Sequence, residues 1–130
     1  FSAVRLLGGS IELAYALQTI YGVLAAMAVI WAWHRRAPAP IKNAALVTAT
    51  MMISPYIFDY DLVALALPIT WLTAWGLREG FLSWEKVTLL AVWLLPLYAR
   101  TIALCLHVPT APLVLTALLL VILRRVPRGC

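Results

Sequence analysis

From Ile11 to Trp33 the chain carries a single charged residue, Glu12, and this run constrains the fold more than any other feature. A helical crossing of the bilayer needs about 20 consecutive apolar residues, and further apolar runs of comparable character follow the first. The 130 residues are 65% hydrophobic and 12% charged, with a mean hydropathy of +0.97. A soluble domain of this size hides only about two-thirds of its surface on folding, so it has nowhere to put so many apolar side chains. An open sheet is excluded in lipid, where unpaired backbone groups are costly. The expected fold is all-α: a polytopic membrane bundle of about five transmembrane helices, with residues 1–130 forming one transmembrane region and no soluble domain.

The polar punctuation divides the chain. Ser10 is placed as an N-cap with Glu12 in the first turn, where the helix dipole favours an acid. Trp31 and Trp33, followed by His34-Arg35-Arg36, form an aromatic belt and a basic stop. Ala37-Pro38-Ala39-Pro40 reads as a short stiff loop. The run from Ile41 to Leu77 holds two crossings, divided at Ser54–Asp61. Its two arms, Ala44 to Ile53 and Leu62 to Leu77, are shorter than a usual crossing, which places the turn between them at the depth of the outer leaflet. Pro68 is expected to kink the second arm. Arg78-Glu79-Gly80 is a polar break, and Ser83-Trp84-Glu85-Lys86 starts a fourth helix that continues past Pro96 to Leu106. His107–Pro112 turns the chain, and Leu113–Leu123 forms the fifth crossing, stopped by Arg124, Arg125 and Arg128.

Alternating the loops puts Arg35, Arg36, Lys42, Arg78, Lys86, Arg124, Arg125 and Arg128 on one side, with only Arg5 and Arg100 on the other. The positive-inside rule places the first set in the cytoplasm and the turn holding Asp59 and Asp61 on the outer face. The net charge of +5 is therefore not a nucleic-acid surface, since the basic residues sit singly or in pairs between apolar runs rather than on one polar face. Cys105 and Cys130 have neither disulfide nor metal-ligand spacing. The chain opens at Phe1 without methionine or a signal-peptide pattern, and is expected to be a piece of a longer membrane protein.

The outer face collects the residues that can carry chemistry. A carboxylate near membrane depth is expensive and suggests a functional site. Asp59 and Asp61 point the same way if the turn is extended, and diverge if it is helical. The plainer alternative is that Asp61 caps the third helix while Asp59 is solvated. Tyr56 and Tyr60 flank them as interfacial anchors or substrate contacts. Arg100 and Arg5 offer planar donor forks suited to phosphate, or else snorkel to the headgroups. His107 is a weaker candidate. Glu12 reads as a helix-start residue, and Gln18 as a hydrogen bond between helices. No phosphate loop, nucleophile triad or metal-ligand cluster is present in the sequence pattern, so no catalytic residue is assigned within the chain.

Ser54-Pro55-Tyr56-Ile57-Phe58-Asp59-Tyr60-Asp61-Leu62, followed by an apolar helix containing Pro68, resembles glycosyltransferase family 87, formerly domain of unknown function 2029. Arg5-Leu6-Leu7-Gly8-Gly9, Phe81-Leu82-Ser83-Trp84-Glu85-Lys86 and Leu94-Leu95-Pro96-Leu97-Tyr98-Ala99-Arg100 are similar to that family too. The resemblance covers nearly all of the chain and corresponds to the last third of a family member. It implies the C-terminal part of a GT-C glycosyltransferase, similar to polyprenyl-phosphate-mannose-dependent α-(1,2)-mannosyltransferases, acting on the outer face of the plasma membrane of a bacterial cell envelope. The donor would be a polyprenyl-phosphate-linked sugar and the acceptor a glycan or glycolipid. No cofactor beyond that donor is implied, and a divalent metal is left open. The family's proposed catalytic acid would lie upstream, outside these residues. Asp59, Asp61 and Tyr60 would meet sugar hydroxyls, and Arg100 and Arg5 the donor phosphate. The partners implied are membrane lipid, the sugar donor, the acceptor and the remaining helices of the longer protein. Two other readings compete: half of a transporter or lipid flippase, with the broken hairpin lining a substrate path, and a non-catalytic membrane assembly subunit.

Overall fold

The computed structural model describes residues 4–5, 7–54, 61–106 and 110–127, and every regular element among them is helical. Five α-helices follow one another: α1 (Ile11–His34), α2 (Ala39–Ile53), α3 (Ala66–Glu79), α4 (Glu85–Leu106) and α5 (Thr110–Arg124), with a 3-10 helix over Asp61–Leu65 leading into α3. α1 begins at the expected cap: the Ser10 hydroxyl accepts from the Leu13 N–H at 3.2 Å, and Glu12 lies in the first turn. It ends where Arg36 adopts a left-handed φ of 52°.

Small residues set the packing. The buried residues of α1 are Ala14, Gly22, Ala25 and Ala32, a seam that lets another backbone come close. That neighbour is α2, which also packs against α3 and α5 and so occupies the centre of the bundle. Its buried set, Ile41, Ala44, Ala45, Thr48, Ala49, Met51 and Met52, lies along one broad face, while Asn43, Leu46, Thr50 and Ile53 on the other side stay exposed. The Thr48 hydroxyl, fully buried, donates to the Ala44 carbonyl at 2.8 Å and so leaves no unpaired group in the centre. Leu72, Leu95, Leu115, Leu118 and Ile122 fill the remaining core from α3, α4 and α5.

Prolines correct three of the expected boundaries. Ala37–Pro40 is not wholly a loop: α2 starts at Ala39, with Pro38 at its cap and Pro40 in the first turn, where a missing N–H breaks no helical bond. Pro112 likewise lies in the first turn of α5, which starts at Thr110 rather than Leu113. Pro68 falls in the first turn of α3, which starts at Ala66 rather than Leu62, the residues before it running as a 3-10 helix straight into α3. Pro96, by contrast, sits inside α4 as expected.

Contacts between helices show that the chain runs up and down. Gln18, near the start of α1, bonds to the end of α2, and Glu85 at the start of α4 meets Arg125 just beyond α5. Tyr21 in the first half of α1 meets Pro112 and Thr116 at the start of α5. One end of the bundle, the basic end, therefore gathers Arg35, Arg36, Lys42, Arg78, Lys86, Arg124 and Arg125 against the two acids Glu79 and Glu85. The other gathers Arg5, Glu12, Asp61 and the last turns of α4.

The outside of the bundle is apolar. Along α1, Leu17, Ile20, Val23, Leu24, Met27 and Ile30 are each 45–67% exposed, and Trp93 and Leu97 of α4 reach 67% and 77%. By length and composition one helix among the described residues, α1 with 24 residues, can cross a membrane. α2, α3 and α5, at 15, 14 and 15 residues, fall short of the usual crossing length.

Candidate functional site at the Asp61 end

Asp59 and Tyr60 lie outside the described residues, as do Tyr56 and His107. Asp61 is the first residue of the 3-10 helix and is partly buried. It stands in the first turn of that helix, which runs without a break into α3, whose own N-cap position, Leu65, carries no side-chain bond. The Asp61 carboxylate thus stands a full 3-10 helix away from the start of α3, at the mouth of the segment that joins α2 to α3. Arg100 lies in the second half of α4, four residues beyond Pro96 and so near the same end. Arg5 donates from Nη1 to the Gly9 carbonyl at 3.1 Å and remains exposed. The turn it closes is tight: a Cβ on Gly9 would run into the Val4 side chain.

Gln18 holds this end together. Its side-chain amide nitrogen lies 2.9 Å from the Met52 carbonyl, 3.1 Å from that of Ile53 and 3.4 Å from that of Ser54. The last carbonyls of a helix have no partner within the helix, so one side chain of α1 satisfies the end of α2 and fixes where the chain leaves it towards Asp61. A second tie runs from the Tyr21 hydroxyl to Thr116 Oγ1 at 2.7 Å and to the Pro112 carbonyl at 3.0 Å. A polar side chain inside an apolar run marks Gln18 as a bond between helices, but not the Tyr21–Thr116 pair, because a tyrosine and a threonine 95 residues apart carry no local signal.

Below Asp61 opens a groove of about 330 Å³ between the 3-10 helix, α3 and α4. Leu62, Leu65 and Ile69 form one wall, and Val92, Trp93 and Pro96 the other. Pro96 has no N–H to give to the Val92 carbonyl, so α4 lacks one helical hydrogen bond where it faces the groove. Thr70 also lines it, but its hydroxyl is spent on the Ala66 carbonyl at 2.7 Å. The groove is therefore an apolar slot, suited to a hydrocarbon chain rather than to a sugar. At the same end of the bundle the Thr110 hydroxyl is buried with no hydrogen-bond partner among the described residues. Among the described residues no three of His, Cys, Asp and Glu are grouped to hold a metal ion.

The basic end contains an arrangement that the sequence reading missed. Glu85 is fully buried, and Arg125 grips it with Nε on Oε1 at 2.9 Å and Nη2 on Oε2 at 2.5 Å. Arg125 also donates to the Gly80 carbonyl at 2.6 Å, and Glu85 accepts from the Leu82 N–H at 2.9 Å. Arg124 adds a bond to the Ser83 carbonyl at 3.1 Å. The two arginines thus act as more than a stop signal: they clamp the α3–α4 loop to the end of α5. Only the pairing of one acid in a first turn with a basic pair 40 residues later could have suggested it.

Comparison with protein-family models, curated proteins and solved structures finds no match to this chain.

Proposed function

We propose that this bundle is the C-terminal membrane part of a glycosyltransferase that takes its sugar from a polyprenyl-phosphate donor, and that it crosses the membrane five times with the Asp61 end outside. The observation that carries the reading is the apolar groove opening below Asp61. A polyprenyl-phosphate sugar needs a slot for its hydrocarbon chain beside acceptors for sugar hydroxyls and donors for phosphate. The groove offers the slot, the Asp59–Asp61 turn the carboxylates, and Arg100 and Arg5 the guanidinium forks.

Five crossings are compatible with the lengths when the 3-10 helix is included. Five residues at about 2 Å and fourteen at about 1.5 Å carry the chain roughly 31 Å from Asp61 to Glu79, and α4 spans roughly 33 Å, against a hydrocarbon core of about 30 Å. α2 and α5, near 22 Å each, are roughly 8 Å shorter than that core, so at least one end of each would lie inside it, where the Gln18 amide serves the last carbonyls of α2. The segregation of seven described basic residues to one end supports placing that end in the cytoplasm. The exposed apolar faces of α1 and α4 fit a lipid surround.

In the reaction a base deprotonates the acceptor hydroxyl, and cations beside the leaving phosphate stabilise its growing charge. The residues here bind and orient the donor; the base is expected elsewhere in the longer protein. The test is sugar transfer in membranes containing the longer protein that supplies the base, given labelled polyprenyl-phosphate-mannose, comparing wild type with Asp59→Asn. The expected result is transfer by wild type and a loss of about tenfold or more in the variant at equal expression, the scale of one charged hydrogen bond. No transfer by wild type with any polyprenyl-linked sugar would refute the proposal.

A further inference from the structure

A second opening lies at the opposite end of the molecule, between α1 and α5, and the donor groove does not account for it. Its volume is about 470 Å³. Leu24, Met27 and Ala28 form the α1 wall, and Leu120 and Leu123 the α5 wall, with Trp31 and Arg124 at its basic end. The two helices are bridged near the Asp61 end by the Tyr21 hydroxyl on Thr116 and Pro112. Both lean on α2, so below that bridge they stand apart. The cleft is apolar along its walls and cationic at its floor.

We infer that this cleft binds one anionic phospholipid, its acyl chain along the apolar walls and its phosphate at Arg124. The inference rests on the membrane placement proposed above. From Leu24 to Trp31 the cleft runs about 10 Å along α1, most of the roughly 15 Å depth of one leaflet. Arg124 uses Nη1 on the Ser83 carbonyl at 3.1 Å and lies 3.5 Å from the Ser83 hydroxyl, which fixes the guanidinium while leaving donors unused. Arg35 stands over the Trp31 ring, 5.9 Å from its centroid, adding a second positive charge beside the cleft. Among the described residues no carboxylate pairs with Arg124 or Arg35: of the two acids at this end, Glu85 is gripped by Arg125, and Glu79 closes α3 beside Arg78. A phosphodiester complements this field, and a lipid without a compensating headgroup cation complements it best. A helix of another protein laid into the cleft would instead strip water from Arg124 without neutralising it.

The test is native mass spectrometry of the purified protein in mild detergent, with phosphatidylglycerol and phosphatidylcholine of identical chains in equal amounts. The expected result is one retained phosphatidylglycerol, preferred about tenfold over phosphatidylcholine, as one charge-assisted contact implies. Arg124→Gln should abolish the preference by removing the fork. Leu120→Trp should abolish it by filling the cleft at an exposed wall position while leaving every charge in place. Arg78→Gln, which removes one charge from the same end outside the cleft, should leave the preference unchanged. An equal loss in Arg78→Gln would overturn the site in favour of a diffuse surface field, and retention of phosphatidylglycerol by Leu120→Trp would overturn the cleft as its location. No preference in wild type would also overturn it, as would a second protein copy retained in place of the lipid. Carbonate extraction from membranes separates the two proposals: a protein that resists extraction but shows no lipid preference loses only the lipid site, whereas one that is extracted loses the membrane placement itself.

Discussion

Replacing Arg125 by Met should be among the most damaging single changes in this chain. The wild-type guanidinium makes three donations: to Glu85 at 2.9 and 2.5 Å and to the Gly80 carbonyl at 2.6 Å. Without it the Glu85 carboxylate, with no exposed side-chain surface, keeps one donor, the Leu82 N–H. Three charged bonds at about 1.5–3 kcal/mol each would sum to more than 4 kcal/mol. Nη2 is shared between two acceptors, however, and the carboxylate is not wholly abandoned, so the loss should be about 3–5 kcal/mol, the usual cost of breaking a buried pair. Glu85→Gln should cost less, about 1–3 kcal/mol, because the amide still accepts from Leu82 and Arg125 still reaches Gly80. The double variant should lie closer to wild type than the sum of the two, with a coupling of about 2 kcal/mol. A double-mutant cycle of unfolding in micelles measures all three quantities. A cost below about 1 kcal/mol for Arg125→Met, or additive single effects, would refute the clamp.

Three further outcomes are expected. Gln18→Leu removes the donor that serves three carbonyls at the end of α2 and should cost about 1–2 kcal/mol, with faster hydrogen exchange near Thr50–Ser54, read by unfolding and exchange mass spectrometry. Gly76→Ala places a methyl 2.5–2.9 Å from atoms of the Phe81 ring, so the ring must leave α3 and its place beneath Lys86; unfolding should show a loss of about 1–3 kcal/mol. Ala66→Trp fills the groove below Asp61 and should lower sugar transfer while leaving the protein inserted, as judged by carbonate extraction.

Helix existence was legible in the sequence because apolar runs and their polar punctuation act locally: Ser10 caps α1 and Glu85 opens α4 as their residue types suggest. The misjudged boundaries all involve proline. Pro40 and Pro112 look like breakers in the sequence, yet each sits in a first turn, where proline breaks no helical bond; Pro68, expected as a kink, falls where the 3-10 helix passes into α3. Sequence alone cannot say whether a proline ends one helix or begins the next, because that depends on where the preceding chain is held. Of the candidate site, Asp61 and Arg100 were placed at one end simply by alternating helices. The groove between Leu62 and Pro96 was not legible, since it depends on how far α3 stands from α4. Nor was the Glu85–Arg125 clamp, whose partners are 40 residues apart.

The placement of the bundle across a bilayer underlies both proposals, and cysteine accessibility tests it most directly. In a background with Cys105 and Cys130 replaced by Ser, single cysteines at Leu7, Arg36, Arg78 and Leu106 mark the two ends of α1 and the far ends of α3 and α4. With an impermeant maleimide, Leu7→Cys and Leu106→Cys should label in intact cells, and Arg36→Cys and Arg78→Cys only in inverted vesicles. Labelling of all four from one side, or of Arg36→Cys and Arg78→Cys from opposite sides, would contradict the five-crossing arrangement.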